Sequence, residues 1–137
     1  MKYLMNTVKA IFFFAVAISL TSCNPERIAA RNLEGDWDAK SYTIDGEELI
    51  GFLVSSFDME FEEYDGEEGD FELRVFYANG TSENFTGEYS LNTDGDELDL
   101  KYSDGTTEEW DLTLEDDDLE LESNFNGSLY IIKAERD

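Results

Sequence analysis

Side chains that could do chemistry are few in this chain of 137 residues. It holds 34 Asp and Glu against 9 Lys and Arg, no His and a single Cys. Without His the commonest general base and metal ligand is missing, and one Cys can form neither an intramolecular disulfide nor a Cys-cluster zinc site. Ser and Thr then have no imidazole to activate them, so nucleophilic catalysis lacks its machinery. Carboxylates remain. Two of them can serve as acid and base on a glycoside, and acidic turns such as Asp94-Gly95-Asp96-Glu97 and Asp65 to Asp70 can ligate calcium. Acids are so abundant, however, that some will meet wherever the chain folds. In the loop starting at Asn92, Gly95 falls at the fourth position instead of the sixth, and Ser103 stands where an EF-hand needs its terminal Glu. These segments read as solvated hairpin turns. No enzyme, metal site or cofactor is expected, and a formal net charge of −25 excludes nucleic acid, whose phosphates are bound by Lys and Arg.

The one thiol has a specific setting. Met1 to Ala10 carries Lys2 and Lys9 and no acid, and Ile11 to Leu20 is an apolar run broken by one Ser. That is the n-region and h-region of a signal peptide, and about ten apolar residues fall short of the roughly 20 that span a bilayer. Leu20-Thr21-Ser22-Cys23 comes directly after and resembles the bacterial lipobox. The resemblance implies a diacylglyceryl thioether on Cys23, cleavage after Ser22 and acylation of the new N-terminus. Two or three acyl chains anchor stably where one does not. Residues 1–22 are therefore expected to be removed and residues 23–32 to form a lipidated tether and short helix. The body would then sit on a membrane of the bacterial cell envelope, the outer membrane before the inner. The mature chain keeps 7 basic residues against 34 acids, a net charge of −27, so Arg27 and Arg31 are left to face headgroups. Asn24-Pro25-Glu26 gives an N-cap, a proline at the first helical position and an acid in the first turn. Gly35 would close that helix, laying Ile28 and Leu33 against the end of the body.

Positioning falls to strands. From Asp36 onward apolar and charged residues alternate with period 2, as in Phe57-Asp58-Met59-Glu60-Phe61-Glu62 and Leu98-Asp99-Leu100-Lys101-Tyr102. Eight such runs occur between Trp37 and Ala134. Asp-Gly or Asn-Gly pairs stand between most of them, at positions 45, 65, 79, 94, 104 and 126, which predicts short hairpins between antiparallel neighbours. Only Glu47 to Ser56 departs, where Leu49, Ile50, Phe52 and Leu53 fit one helical turn or a partly buried lid loop. Eight strands left as an open sheet would expose pairing edges, so residues 33–137 are expected to close into an up-and-down antiparallel barrel, with a two-sheet sandwich as the other solution.

Gly35-Asp36-Trp37 opens the first strand, and the chain from there to its Lys- and Arg-containing last strand resembles the lipocalin-like lipoproteins of Bacteroidetes-type bacteria. The resemblance implies that Trp37 closes one barrel end and that a basic residue near the C-terminus packs across it, a place that Arg136 and Lys133 both suit. Such a fold, with Tyr and Trp residues that pair an apolar body with a polar handle, leads to the expectation of a small apolar or amphipathic ligand with Phe52, Tyr77, Tyr89, Tyr102 and Trp110 lining its site. The acidic body makes that ligand neutral or cationic. The competing expectation is an envelope interaction module, its core filled by aromatics and its acidic exterior meeting a protein partner. Cys23→Ala is expected to move the protein from the membrane fraction of a bacterial host to the soluble fraction; equal retention of the variant would overturn lipidation.

Overall fold

A computed structural model describes residues 24–137; the signal segment, the lipobox and Cys23 lie outside the described residues. Helix α1 (Pro25–Leu33) is followed by β1 (Gly35–Ile44), a two-residue β2 (Glu47–Glu48), β3 (Val54–Phe61), β4 (Gly69–Tyr77), β5 (Ser82–Leu91), β6 (Glu97–Tyr102), β7 (Thr107–Glu115), β8 (Asp118–Phe125) and β9 (Ser128–Arg136). From β3 to β9 neighbours in sequence pair antiparallel, β3 also pairs with β1, and β9 returns to β1 with Trp37 opposite Arg136 and Ile44 opposite Tyr130. The sheet is thus a closed barrel of eight strands, with β2 a spur on β1. A sandwich is excluded by that last pairing, which removes both free edges.

The alternation places side chains as expected. Phe57, Met59 and Phe61 of β3 are buried, as are Phe71, Leu73 and Val75 of β4, while the acids between them face out. Asp-Gly and Asn-Gly turns join most of the strands, while β3 and β4 are linked by the longer loop 62–68 and β7 and β8 by Asp116-Asp117. Asp45 (φ 52°) and Gly46 (φ 84°) take the left-handed pair of angles that fits the twist of a two-residue hairpin. One irregularity has consequences inside. The register of β1 against β9 shifts between Ala39 and Ser41, so Lys40 is an inserted residue that flips the alternation. Trp37 and Ala39 point inward before it, and Tyr42 after it.

One end of the barrel is plugged. Asn24 caps α1 through its side-chain oxygen, as the sequence predicts, and the helix lies across this end. Gly35 does not close it. Glu34 is the cap residue, and Gly35 (φ 126°) opens β1, where a Cβ would come within 3.1 Å of an Arg136 nitrogen. Leu33 is fully buried, but Ile28 is 45 % exposed, because Ala29 and Ala30 occupy the inward stripe of the helix. Trp37 is fully buried and donates from its indole to the Leu33 carbonyl at 2.8 Å. Between the two basic candidates the geometry selects Arg136: its guanidinium lies 4.4 Å from the Trp37 ring centroid and donates to the carbonyls of Asn32 and Glu34. Lys133 is on the outer surface.

The Glu47 to Ser56 segment forms no helical turn. β2 pairs with β1, and Leu49 to Leu53 then curl into a tight loop, with Gly51 N donating to the Val54 carbonyl at 2.7 Å and Val54 N to that of Leu49 at 3.0 Å. Glu48 ties the loop down by accepting from the Ser41 hydroxyl and from the Tyr42 and Ile50 amides. Desolvation works to raise its carboxyl pKa, but these donors together with the Leu49 amide outweigh it and the carboxyl stays below its ordinary value.

Trp37→Ala removes the largest side chain of the plug and the face on which Arg136 rests. It is expected to cost about 3–5 kcal/mol in urea unfolding, as large aromatic truncations in cores do; a loss under about 1 kcal/mol would mean that this end is sealed without Trp37.

Candidate ligand-binding cavity

The two barrel ends differ. At the plugged end Tyr89 is fully buried, its ring edge-on to Phe61 at 5.3 Å and stacked on Tyr64 at 5.7 Å, and its hydroxyl donates to the Glu62 carbonyl. Tyr64 in turn donates to Glu26 of α1 at 2.8 Å. Toward the other end, where the Asp45-Gly46, Asp104-Gly105 and Asn126-Gly127 turns lie, the interior is not filled. A cavity of about 420 Å³ opens there. Its depth is apolar, formed by Met59, Phe61, Leu73, Leu121 and Ile132, and Phe57, Val75, Leu100 and Trp110 form its walls. Tyr42, Tyr77, Phe85, Tyr102 and Glu108 ring the mouth, and Leu49 of the tied loop overhangs it. A size of about 300–1,000 Å³ with apolar walls and a few polar groups is usual for small-molecule sites.

Aromatic contacts hold the ring in shape. Tyr102 stands edge-on to Phe71 at 5.3 Å and to Phe85 at 6.2 Å, and Tyr42 edge-on to Phe57 at 5.6 Å. Oε1 of Glu108 accepts from the Tyr102 hydroxyl at 2.5 Å and from the Trp110 indole at 3.2 Å. Tyr77 donates to Glu83 at the rim at 3.0 Å. Burial, followed by the charge of Glu108, pushes the Tyr42 phenol up to about 12; the Tyr102 phenol rises further, through burial and then its bond to Glu108. These tyrosines are therefore neutral donors at neutral pH.

Of the residues expected to line a site, Tyr77, Tyr102 and Trp110 do line the cavity, and two stand elsewhere. Tyr89 belongs to the plug, because Gly69 on the paired strand leaves the space its ring fills; a Cβ there would lie 2.6 Å from it. Phe52 is 74 % exposed at the tip of the lid loop, since Leu49 takes the inward place. Three further side chains contribute. Tyr42 is brought in by the bulge at Lys40, which the sequence does not announce. Phe85 has the inward parity of its strand, which places it in the barrel without giving it a role. Glu108 does carry a signal in the sequence: it shares the parity of Trp110, Leu112 and Leu114, so the alternation that identifies β7 points it inward.

A family model described as a lipocalin-like domain matches residues 33–121. No curated protein sequence matches the chain. Among solved structures, a redesigned β-barrel aligns with a TM-score of 0.60 at 21% identity, covering 80% of this chain and 95% of its own. Japanin from Rhipicephalus appendiculatus, bound to cholesterol, aligns at 0.56 and 13% identity, covering 78% of this chain and 77% of its own. Lobster apocrustacyanin A1 aligns at 0.50 and 16% identity, over 76% of this chain and 61% of its own. At such identities the likeness is one of fold.

The acidic turns are built as turns. Asp65 accepts from the amides of Glu67 and Glu68, and Asn92 from those of Asp96 and Glu97, each bond closing its own loop. On the outer face of β6 and β7, Glu97, Asp99 and Glu109 bring their oxygens within 4.8 Å of one another. Glu97 is pushed up to about 7, first by its hydrogen bond with Glu109, then by burial and the neighbouring charges. Its proton is held more tightly folded than unfolded, so its contribution favours folding below about 4.5 and is lost as pH rises from there through about 7. At low ionic strength the Tm is expected to fall as pH is raised across that window, and Glu97→Gln to flatten the fall. A Tm that rises there in the parent and is unchanged by the variant would contradict the pairing.

Proposed function

The chain belongs to the lipocalin-like domain family, and on that premise we propose that its barrel is a non-catalytic container for a small apolar or amphipathic molecule, held on a bacterial envelope membrane by lipid on Cys23. The cavity carries this reading. An interior meant only as a core would be close-packed, with few voids larger than a water molecule, whereas this barrel is packed at one end and empty over about 420 Å³ at the other. That asymmetry also weighs against the interaction module, which needs a filled core. Japanin, of the same fold, holds cholesterol. No His or free catalytic thiol is offered at the cavity, and its hydroxyls include tyrosines held neutral.

Anchoring at Cys23 would also orient the container. Asn24 caps α1, whose Pro25 and Ala29 pack against Gly95 of the β5–β6 hairpin at the plugged end. A lipid one residue upstream would tether that end and turn the mouth toward the aqueous compartment. The ligand would then arrive through water or from a partner, not by extraction from the bilayer beneath.

Titration of the barrel domain with an environment-sensitive apolar dye is expected to give saturable one-to-one binding that quenches tryptophan emission. Trp110 lines the cavity while Trp37 is sealed in the plug, so Trp110→Phe should remove the quenching and leave the dye's own signal. A clean apo mass for protein from its own host together with no saturable dye binding would refute the container.

A further inference from the structure

Two carboxylates stand at the cavity, Asp104 exposed in its rim turn and Glu108 half-buried on the inward face of β7. Glu108 takes an inward position of β7, and among the described residues neither Lys nor Arg lines the space with it. Both of its donors, the Tyr102 hydroxyl and the Trp110 indole, converge on Oε1. Among the described residues no side chain donates to Oε2, and the ion pairs involve Lys40, Arg74 and Arg136 only. Asp104, the other acid at the rim, accepts from the Thr106 amide within its own turn. A half-buried carboxylate beside aromatic rings, with no cation against it, attracts a positively charged group.

We propose that Glu108, with the rings of Tyr42, Tyr102 and Trp110, is the receptor for a cationic head, an ammonium or amidinium group, on a small amphipathic ligand whose apolar part lies on Leu73, Leu100 and Leu121. This rests on the container reading and narrows it. Two attractions act together on such a head: Coulomb attraction strengthened by partial exclusion of water, and the negative faces of the surrounding aromatic rings. The field of Glu108 reaches across the lumen, since it contributes to the raised phenol of Tyr42 on β1. The two existing donors fix the carboxylate's orientation in advance, so little freedom is lost on binding. Selectivity comes equally from rejection. An anionic head would meet Glu108 unpaired in the same space.

The test is a matched series of octylamine, octanol and octanoate, each titrated against tryptophan emission and by calorimetry at neutral pH and about 0.15 M salt, where long-range fields are screened. Octylamine should bind roughly tenfold more tightly than octanol, the scale of one partly dehydrated cation–aromatic and charge contact, and octanoate weakest. Glu108→Gln, whose amide oxygen can still accept from Tyr102 and Trp110, should abolish the preference for the amine, so that octylamine and octanol bind this variant equally. Glu115→Gln, an exposed acid on the same strand, should change nothing. Equal binding of amine and alcohol, or equal losses in both variants, would overturn Glu108 as the receptor while leaving the container standing. Failure of every probe would overturn both.

Discussion

The guanidinium of Arg136 on the face of Trp37 joins the two ends of the fold. It links the last strand to the first and, through the carbonyls of Asn32 and Glu34, both to the C-terminal end of α1. Cations near the last helical carbonyls are favourable, and a cation over indole contributes about 0.5–2 kcal/mol depending on dehydration. Its position matters more than its strength. A chain with so few basic residues places this one where β9 must return to β1, the pairing that turns a meander into a barrel. Gly35 is required for the same reason, since a side chain there would crowd the guanidinium.

Closure then sorts the charge. Acids on alternate positions face water all round the barrel, where screening makes them tolerable. The exceptions are therefore informative. Arg74 is set between Glu60 and Glu72 across two strands and offsets their repulsion, at 3.2 and 2.6 Å. Among the described residues no such cation stands beside Glu97, whose carboxyl is instead raised to about 7, first by its hydrogen bond with Glu109. Among the described residues Glu108 has neither a cation nor an acidic partner of this kind, and it stands on the inward face.

Much of this was legible because a closed antiparallel barrel writes itself into the sequence twice, as period 2 and as turn residues. Trp37-containing β1, the hairpin turns and the cap of α1 by Asn24 are all local, so local chemistry suffices to place them. What was not legible depends on a single residue shifting register or parity. Lys40 is an ordinary strand residue until β9 refuses to pair with it, and only then does Tyr42 turn inward. Phe52 failed for a similar reason: a short apolar cluster carries no clear period, and the loop's hydrogen bonds decide that Leu49 faces in and Phe52 out. Glu108 is hard to single out among so many other acids, although its parity is plain.

Crowding by aromatics argued from the sequence for a filled barrel, and the reason it fails lies in two glycines. Tyr89 fills the room that Gly69 leaves on the neighbouring strand, and a Cβ at Gly87 would meet the Lys101 carbonyl oxygen at 2.0 Å and the ring edge of Phe71 at 2.8 Å. Large rings that lie over glycine are accommodated against the barrel wall, where a neighbouring side chain would have lifted them into the lumen. Trp37, Phe61 and Tyr89 are further gathered at the plugged end, leaving the mouth to rings that stand edge-on to each other around a gap. Volume counted along a sequence says how much material must be placed inside a barrel, and the positions of the residues without side chains decide where the remaining space is left.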